Sequence, residues 1–155
     1  MKKELKFTVN GDPYELAIKP QRTLLEVLRN ELGLTGTKMT CEGSACGMCT
    51  VLLDDMAVKS CSVLALQANG RKVTTIEGLA KEGKLHPIQQ AFIKHGAIQC
   101  GFCTPGMVLV AKALLDKDPS PSEEKIKEAL SGNLCRCTGY TSIVRALESL
   151  CEGNR

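Results

Sequence analysis

Three cysteines spaced C-x4-C-x2-C sit in the run Thr37-Lys38-Met39-Thr40-Cys41-Glu42-Gly43-Ser44-Ala45-Cys46-Gly47-Met48-Cys49-Thr50, and a fourth, Cys61, follows after eleven residues. No other feature limits the fold so tightly. Four thiolates that close on a compact inorganic core force the loop between them to wrap tightly and to aim backbone N–H groups at the sulfurs. Gly43 and Gly47 permit the positive φ values that such wrapping needs, and Ser44 and Ala45 add little bulk. The spacing is the plant-type one for a 2Fe–2S cluster. The alternative reading is a surface loop with buried structural cysteines.

Nine cysteines in 155 residues is a high count, which either disulfides or metal explains. The N-terminal run MKKELKFTVN has no apolar signal core and no twin arginine. A cytoplasmic setting is therefore expected, where thiols stay reduced and clustered cysteines more often hold metal. No apolar run reaches membrane-spanning length; the longest, Met107 to Leu115, is interrupted by Lys112. Aromatic residues make up 3% of the chain and Trp is missing, which argues against a stacking platform for nucleic acid. The formal charge of +3 is not clustered, so no polyanion partner is implied. Two clusters, each about −2 with its thiolates, would bring that charge to about −1.

In chain order, Leu5, Phe7 and Val9, then Tyr14, Leu16 and Ile18, alternate with polar residues around Asn10-Gly11-Asp12-Pro13, which predicts a β-hairpin with one buried face. Thr23-Leu24-Leu25-Glu26 matches a capping box. Leu25, Leu28 and Leu32 continue it as a helical stripe that stops at Gly33. Thr50 to Leu53 and Ala57-Val58 read as a second hairpin around Asp54-Asp55, and Lys72 to Ile76 as a last strand. Around Glu77 to Leu85 the apolar period changes from two to three and four, which puts a domain boundary there: 1–77 and 78–155. His86-Pro87 opens a helix to about Lys94, closed by Gly96. Thr104-Pro105 reads as an N-cap with Pro at the first helical position, and the helix behind it is apolar nearly all round, hence buried. Ser120-Pro121-Ser122-Glu123 reads as another capping box, before a helix that buries Ile126, Ala129 and Leu130. Thr141 is expected to cap a last helix that buries Ile143, Leu147 and Leu150. The expected class is α+β, a small sheet with one helix across it followed by four short helices.

The second half carries its own four cysteines, as Cys100-Gly101-Phe102-Cys103 and Cys135-Arg136-Cys137. Positions i and i+2 of a straight helix point to nearly opposite sides, so Cys135 and Cys137 reach one centre only from a bent segment. Gly132, Asn133 and Gly139 supply such bends. Helices that start after Cys103 and Cys137 would aim their N-terminal N–H groups at an anionic core. With only two histidines, the pattern is neither a zinc ribbon nor a Rieske centre, and it lacks the bacterial 4Fe–4S run. Spacing alone leaves a second 2Fe–2S cluster and a zinc site both open.

Two longer motifs carry a resemblance that spans essentially the whole chain. Gln99-Cys100-Gly101-Phe102-Cys103-Thr104-Pro105-Gly106 and Gly132-Asn133-Leu134-Cys135-Arg136-Cys137-Thr138-Gly139-Tyr140 resemble the iron–sulfur subunit of the molybdenum hydroxylases, the family of xanthine dehydrogenase, aldehyde oxidoreductase and carbon monoxide dehydrogenase. The resemblance implies a β-grasp domain followed by a four-helix bundle with pseudo-twofold symmetry. It implies two 2Fe–2S clusters, one on Cys41, Cys46, Cys49 and Cys61 and one on Cys100, Cys103, Cys135 and Cys137. It further implies a molybdenum–pterin cofactor on a separate large subunit, from which electrons pass to the bundle cluster, then to the first cluster, then commonly to an FAD subunit. The assembly implied is a heterotrimer, with dimerisation of the whole left open. Gln99 matches the residue that hydrogen-bonds the pterin; its carboxamide both donates and accepts along one heterocycle edge. Cys137 is expected to approach the pterin too. Thr40 stands where Gly commonly precedes the first ligand, and Met48 where Ala is common before the third.

Other positions carry less. Cys151 reads as a packing residue on the last helix, and His95 as a favourable dipole contact at a helix end. Arg136 reads either as a charge favouring the reduced cluster or as a salt bridge to a partner. The chain shows no nucleophile with a paired base and no phosphate loop, so substrate chemistry is expected on a partner. The readings to separate are an electron-transfer subunit, a free-standing two-cluster ferredoxin and a zinc-stabilised interaction module.

Overall fold

The computed structural model describes residues 1–152. Its first half is a five-stranded sheet in the order β2-β1-β5-β3-β4. β1 (Lys3–Val9) and β2 (Asp12–Ile18) form the predicted hairpin, in full register from Lys3 opposite Ile18 to Val9 opposite Asp12. The turn is tighter than expected. Asn10 and Gly11 take φ of 54° and 97°, and Pro13 lies inside β2 opposite Thr8. Proline is tolerated there because β2 is an edge strand.

α1 (Leu24–Glu26) opens with the predicted capping box: the Thr23 hydroxyl accepts from Glu26 N at 3.2 Å, and Thr23 N donates to the Glu26 carboxylate at 2.8 Å. The helix does not then continue with period 3.6. It widens into a π-turn over Val27–Glu31, closed by Leu32 N donating to Val27 O. Leu24, Leu25, Val27 and Leu28 are buried, while Leu32 is half-buried. Arg29, on that turn, donates to the carbonyls of Thr35 (2.9 Å) and Thr37 (2.7 Å), which ties the helix to the start of the cysteine loop.

β3 (Thr50–Leu53) and β4 (Met56–Lys59) form the second hairpin, with Asp54 and Asp55 both at positive φ. β5 (Lys72–Thr74) pairs parallel to β1 and antiparallel to β3, and is two residues shorter than expected. Pairing to β1 stops at Val73 and to β3 at Thr74, which leaves Thr75 outside both ladders. Its N–H donates instead to the Asn10 side chain at 2.9 Å, and Ile76–Gly78 forms a 3-10 turn.

The second half holds α2 (Pro87–Lys94), α3 (Thr104–Lys117), α4 (Glu123–Leu130) and α5 (Thr141–Glu152). Three starts differ by a residue or two from expectation. Thr104 is already helical in α3, and Cys103 before it makes no side-chain capping bond. Ser122, not Ser120, caps α4, because Ser120 N is already engaged by the Asp118 carboxylate at 3.2 Å. Thr141 is the first helical residue of α5, with Tyr140 before it at φ 67°. The helices enclose a core that includes Phe92, Met107, Ile126, Leu130, Ile143 and Leu147, while Leu5, Phe7, Leu24, Val27, Leu28 and Val51 fill the core under the sheet. A third, small cluster joins the halves: Leu52 points off the opposite face of β3 onto Leu109 and Ala113 of α3. With both faces covered, all four residues of β3 are buried. Among the described residues no helix is long and apolar enough to cross a membrane.

Candidate metal centres

The first cysteine loop is anchored at both ends by secondary structure. Thr50 begins β3, and its hydroxyl donates back to Gly47 O at 2.6 Å. Ser60, on the turn that follows β4, donates to Cys49 O at 2.7 Å and so sets Cys61 beside Cys49. The sulfurs approach in twos. Cys41 and Cys46 are neighbours, with Cys46 N donating to Cys41 Sγ at 3.4 Å. That backbone donor, joined by those of Ala45 and Gly43, draws the Cys41 thiol down to about 7. Cys49 and Cys61 form the other pair. Burial pushes the Cys49 thiol up to about 11. Burial also acts upward on Cys61, but the hydroxyls of Ser44 and Ser62 and the Cys49 thiol outweigh it and bring Cys61 below its ordinary value.

The second quartet comes from two segments. Cys100 and Cys103 lie between α2 and α3, and Cys135 and Cys137 lie in the bent stretch between α4 and α5, as the i, i+2 spacing required. Cys137 and Cys100 are 3.6 Å apart. Cys103 and Cys135 make the second pair; burial raises the Cys103 thiol to about 12, and Thr138 N and Oγ1 approach Cys135 Sγ at 3.4 and 3.1 Å. Tyr140 closes this stretch by accepting from Cys135 N at 2.8 Å and donating to Asn133 O at 3.0 Å.

No three His, Cys, Asp or Glu among the described residues converge on a point suited to a single ion. Two pairs per quartet is instead the donor arrangement that a two-iron core needs, each iron taking two thiolates. Local N–H and O–H donors aimed at Cys41, Cys61 and Cys135 suit thiolate sulfur. The donor set fits the group.

Around the second quartet the chain is open. Gln99, Cys100 and Cys137 are exposed, and so are Ile93, Ile98, Phe102 and Leu134, the last at 50%. Around the first, Cys46 and Cys49 are buried and Cys41 and Cys61 half-buried. Cys151, on α5, is buried with its thiol 3.3 Å from Leu147 O. His95 ends α2, and Arg136 is exposed. Thr40 and Met48 touch each other, Oγ1 to Sδ at 3.4 Å. Asn133 is the residue that sequence reasoning undervalued: it is buried and hydrogen-bonds Gly47 O of the first loop at 2.8 Å. Its neighbour Leu134 N donates to Cys46 O at 2.8 Å. In sequence Asn133 reads only as one of the residues that bend the stretch, inside the motif that starts at Gly132.

Comparison with known proteins agrees with this geometry. The 2Fe-2S iron-sulfur cluster binding domain family matches residues 7–80, and the [2Fe-2S] binding domain family matches residues 75–148. The nicotine 6-hydroxylase small subunit of Paenarthrobacter nicotinovorans is 50% identical over 93% of this chain and 87% of its own length. This chain belongs to the small 2Fe–2S subunits of the molybdenum-hydroxylase-type oxidoreductases. Solved structures share the fold of this chain. The crystal structure of quinoline 2-oxidoreductase from Pseudomonas putida 86 superposes with a TM-score of 0.93 at 43% identity, over 98% of this chain and 95% of the matched one. In the aldehyde oxidoreductase from Desulfovibrio desulfuricans the match is as good, with a TM-score of 0.93 at 42% identity, but covers only 17% of that longer chain. In this chain a sheet domain precedes a helical one, and the family places it among iron–sulfur electron-transfer subunits.

Proposed function

We propose that this subunit relays single electrons between a molybdenum–pterin cofactor on a large partner subunit and FAD, or another acceptor, on a third chain. In this reading residues 1–77 hold one 2Fe–2S cluster through Cys41, Cys46, Cys49 and Cys61. Residues 78–155 hold the other through Cys100, Cys103, Cys135 and Cys137. Each cluster, when bound, supplies a one-electron carrier. The chain's own work is to fix thiolate positions, donate backbone hydrogen bonds to them and keep water from the buried sulfurs. Gln99 and Cys137 are proposed to meet the pterin, and the assembly is proposed to be a cytoplasmic heterotrimer.

The observation that carries the reading is that two thiols of the second quartet, Cys100 and Cys137, are exposed, while none of the first is. The second quartet opens on a surface where Gln99, Cys100 and Cys137 sit among Ile98, Phe102 and Leu134. An apolar surface around exposed thiols is the kind that a partner covers. Relatives named for nicotine, quinoline and aldehyde chemistry are nearly equally similar, at 42–50% identity. That evenness supports a shared electron-carrying role, with substrate choice made on the large subunit.

The test is Cys103→Ser in the complete complex. One of two electron paramagnetic resonance signals is expected to vanish or change, with electron flow from molybdenum blocked. Two intact signals with normal turnover would overturn the ligand assignment. Four irons per chain and co-purification with a molybdopterin-containing subunit are expected of the wild type. Zinc in place of iron, or a monomeric holoprotein in extract, would select the other readings. Gln99→Ala should weaken cofactor retention or turnover while four irons remain; unchanged kinetics would count against the pterin contact.

A further inference from the structure

Asn133 is fully enclosed, two residues before Cys135, and its side chain reaches out of the helical half. Its Nδ2 donates to Gly47 O at 2.8 Å and lies 3.3 Å from Thr50 Oγ1, across a sequence separation of 86 and 83 residues. Beside it, Leu134 N donates to Cys46 O at 2.8 Å. On the other side, the Tyr140 hydroxyl bridges Asn133 O and Cys135 N. The stretch that presents Cys135 and Cys137 is therefore clamped between Tyr140 and the carbonyls of the first cysteine loop.

The clamp leaves no slack. A Cβ on Gly47, which sits at φ 71°, would overlap Gly132 O and fall 2.6 Å from Asn133 Oδ1. A Cβ on Gly106, in the first turn of α3, would fall 2.8 Å from Gly47 O and 2.9 Å from Asn133 Nδ2. Three segments thus meet at one amide: the first loop, the start of α3 behind Cys103, and the stretch before Cys135. Buried polar groups joined this way specify one arrangement, because any other leaves them unpaired.

We infer that Asn133 is a positioning residue that makes the seating of Cys135 and Cys137 conditional on a correctly folded first loop, so that the two cluster sites are built as one unit. This rests on the ligand assignment proposed above. Asn133 touches neither quartet's sulfurs through its side chain; it acts through Gly47 O and the backbone leading to Cys135.

The experiment uses the full chain in its complex, reduced with dithionite, and reads iron per chain and the two paramagnetic signals. Asn133→Asp keeps the size but loses the donor, setting a carboxylate against a carbonyl. The expected result is a retained first-cluster signal with the second signal shifted or lost, and iron falling from about four towards about two per chain. Gly106→Ala is the second arm. It wedges the same bond open from α3, where Ala suits a helix better than Gly, and the same signal is expected to move. Should Asn133→Asp yield no folded complex, Gly106→Ala decides alone. Both signals unmoved in the folded variants, or loss of the first signal with the second intact, would overturn the inference. Lower thermal stability with both signals unmoved would also overturn it, since that is what a merely structural role gives. If the wild type itself lacks two iron signals, the ligand assignment fails first.

Discussion

The two halves of this subunit solve one problem, gathering four thiols, in opposite ways. The sheet half does it with a continuous loop whose ends are pinned by β3 and by the turn after β4, and its sulfurs are buried or half-buried by its own chain. The helical half draws its four from two segments between helices and leaves Cys100 and Cys137 exposed. The continuous loop is held by what flanks it, and its left-handed positions fall on Ser44 and Gly47 rather than on Gly43. A site built between helices needs outside support, which Asn133 and Tyr140 give on the inner side. On the outer side it presents an apolar rim suited to another subunit.

Thiol labelling is the most direct way to break this contrast. In the metal-free full chain, iodoacetamide followed by mass spectrometry should modify exposed Cys100 and Cys137 well before buried Cys46, Cys49 and Cys103, with half-buried Cys41 also early because its thiol is drawn down to about 7. Equal rates across the eight would remove the distinction between a closed and an open site.

Cavity-forming substitutions sharpen it next. Phe92 is fully buried in the helical core, and Phe92→Ala should cost about 3–5 kcal/mol in urea unfolding. Leu52→Ala strikes the small cluster that β3 shares with Leu109 and Ala113, at a cost of about 2–5 kcal/mol. Because that cluster joins the halves, the variant should also separate a single cooperative transition into two, read by calorimetry on the iron-free chain. One sharp transition in Leu52→Ala would show that the hydrogen bonds of Asn133 and Leu134 suffice to couple them. Tyr140→Phe should act more mildly, about 1–3 kcal/mol, by leaving the Cys135 N–H and the Asn133 carbonyl without their shared hydroxyl.

What was legible in sequence follows the same division. Local features were readable: the Asn10-Gly11 turn, the Thr23–Glu26 capping box, the Asp54-Asp55 hairpin and the Gly96 stop all depend on neighbours in the chain. The bent segment under Cys135 and Cys137 was readable because their i, i+2 spacing demands it. The early end of β5 was not, since the distant Asn10 side chain takes the Thr75 N–H; the π-turn at Val27–Glu31 and the Ser122 cap are local, yet the apolar pattern does not mark them. Asn133 is the sharpest case. Its flanking residues marked it as part of a bend, but its partners are Gly47 and Thr50, and no periodicity links them.

The smallest expected effect compares how the two halves begin their helices. Thr23 caps α1 in partnership with Glu26, whose carboxyl the Thr23 N–H holds below its ordinary 4.5. His86 caps α2: its Nδ1 accepts from Ile88 N at 3.3 Å, and Gln89 accepts from its N–H at 2.9 Å. Burial first, then the charges of Lys112 and Lys81, hold the His86 imidazole below its ordinary 6.5, with Asp116 pulling the other way. Both groups have folded pKa values below their unfolded ones. Each contribution is therefore complete above the unfolded value and lost as pH falls through the folded one. The α2 cap should thus fail in mild acid, starting below about 6.5, while the α1 cap holds until pH drops below about 4.5. His86→Ala should cost about 0.5–2 kcal/mol at pH 7.5 and less at pH 5. His86→Asn, a good cap that does not titrate, should flatten the pH dependence between 7.5 and 5, measured by urea unfolding with a helix-sensitive probe. An unchanged slope in His86→Asn would mean that the early acid sensitivity of the helical half arises at another group.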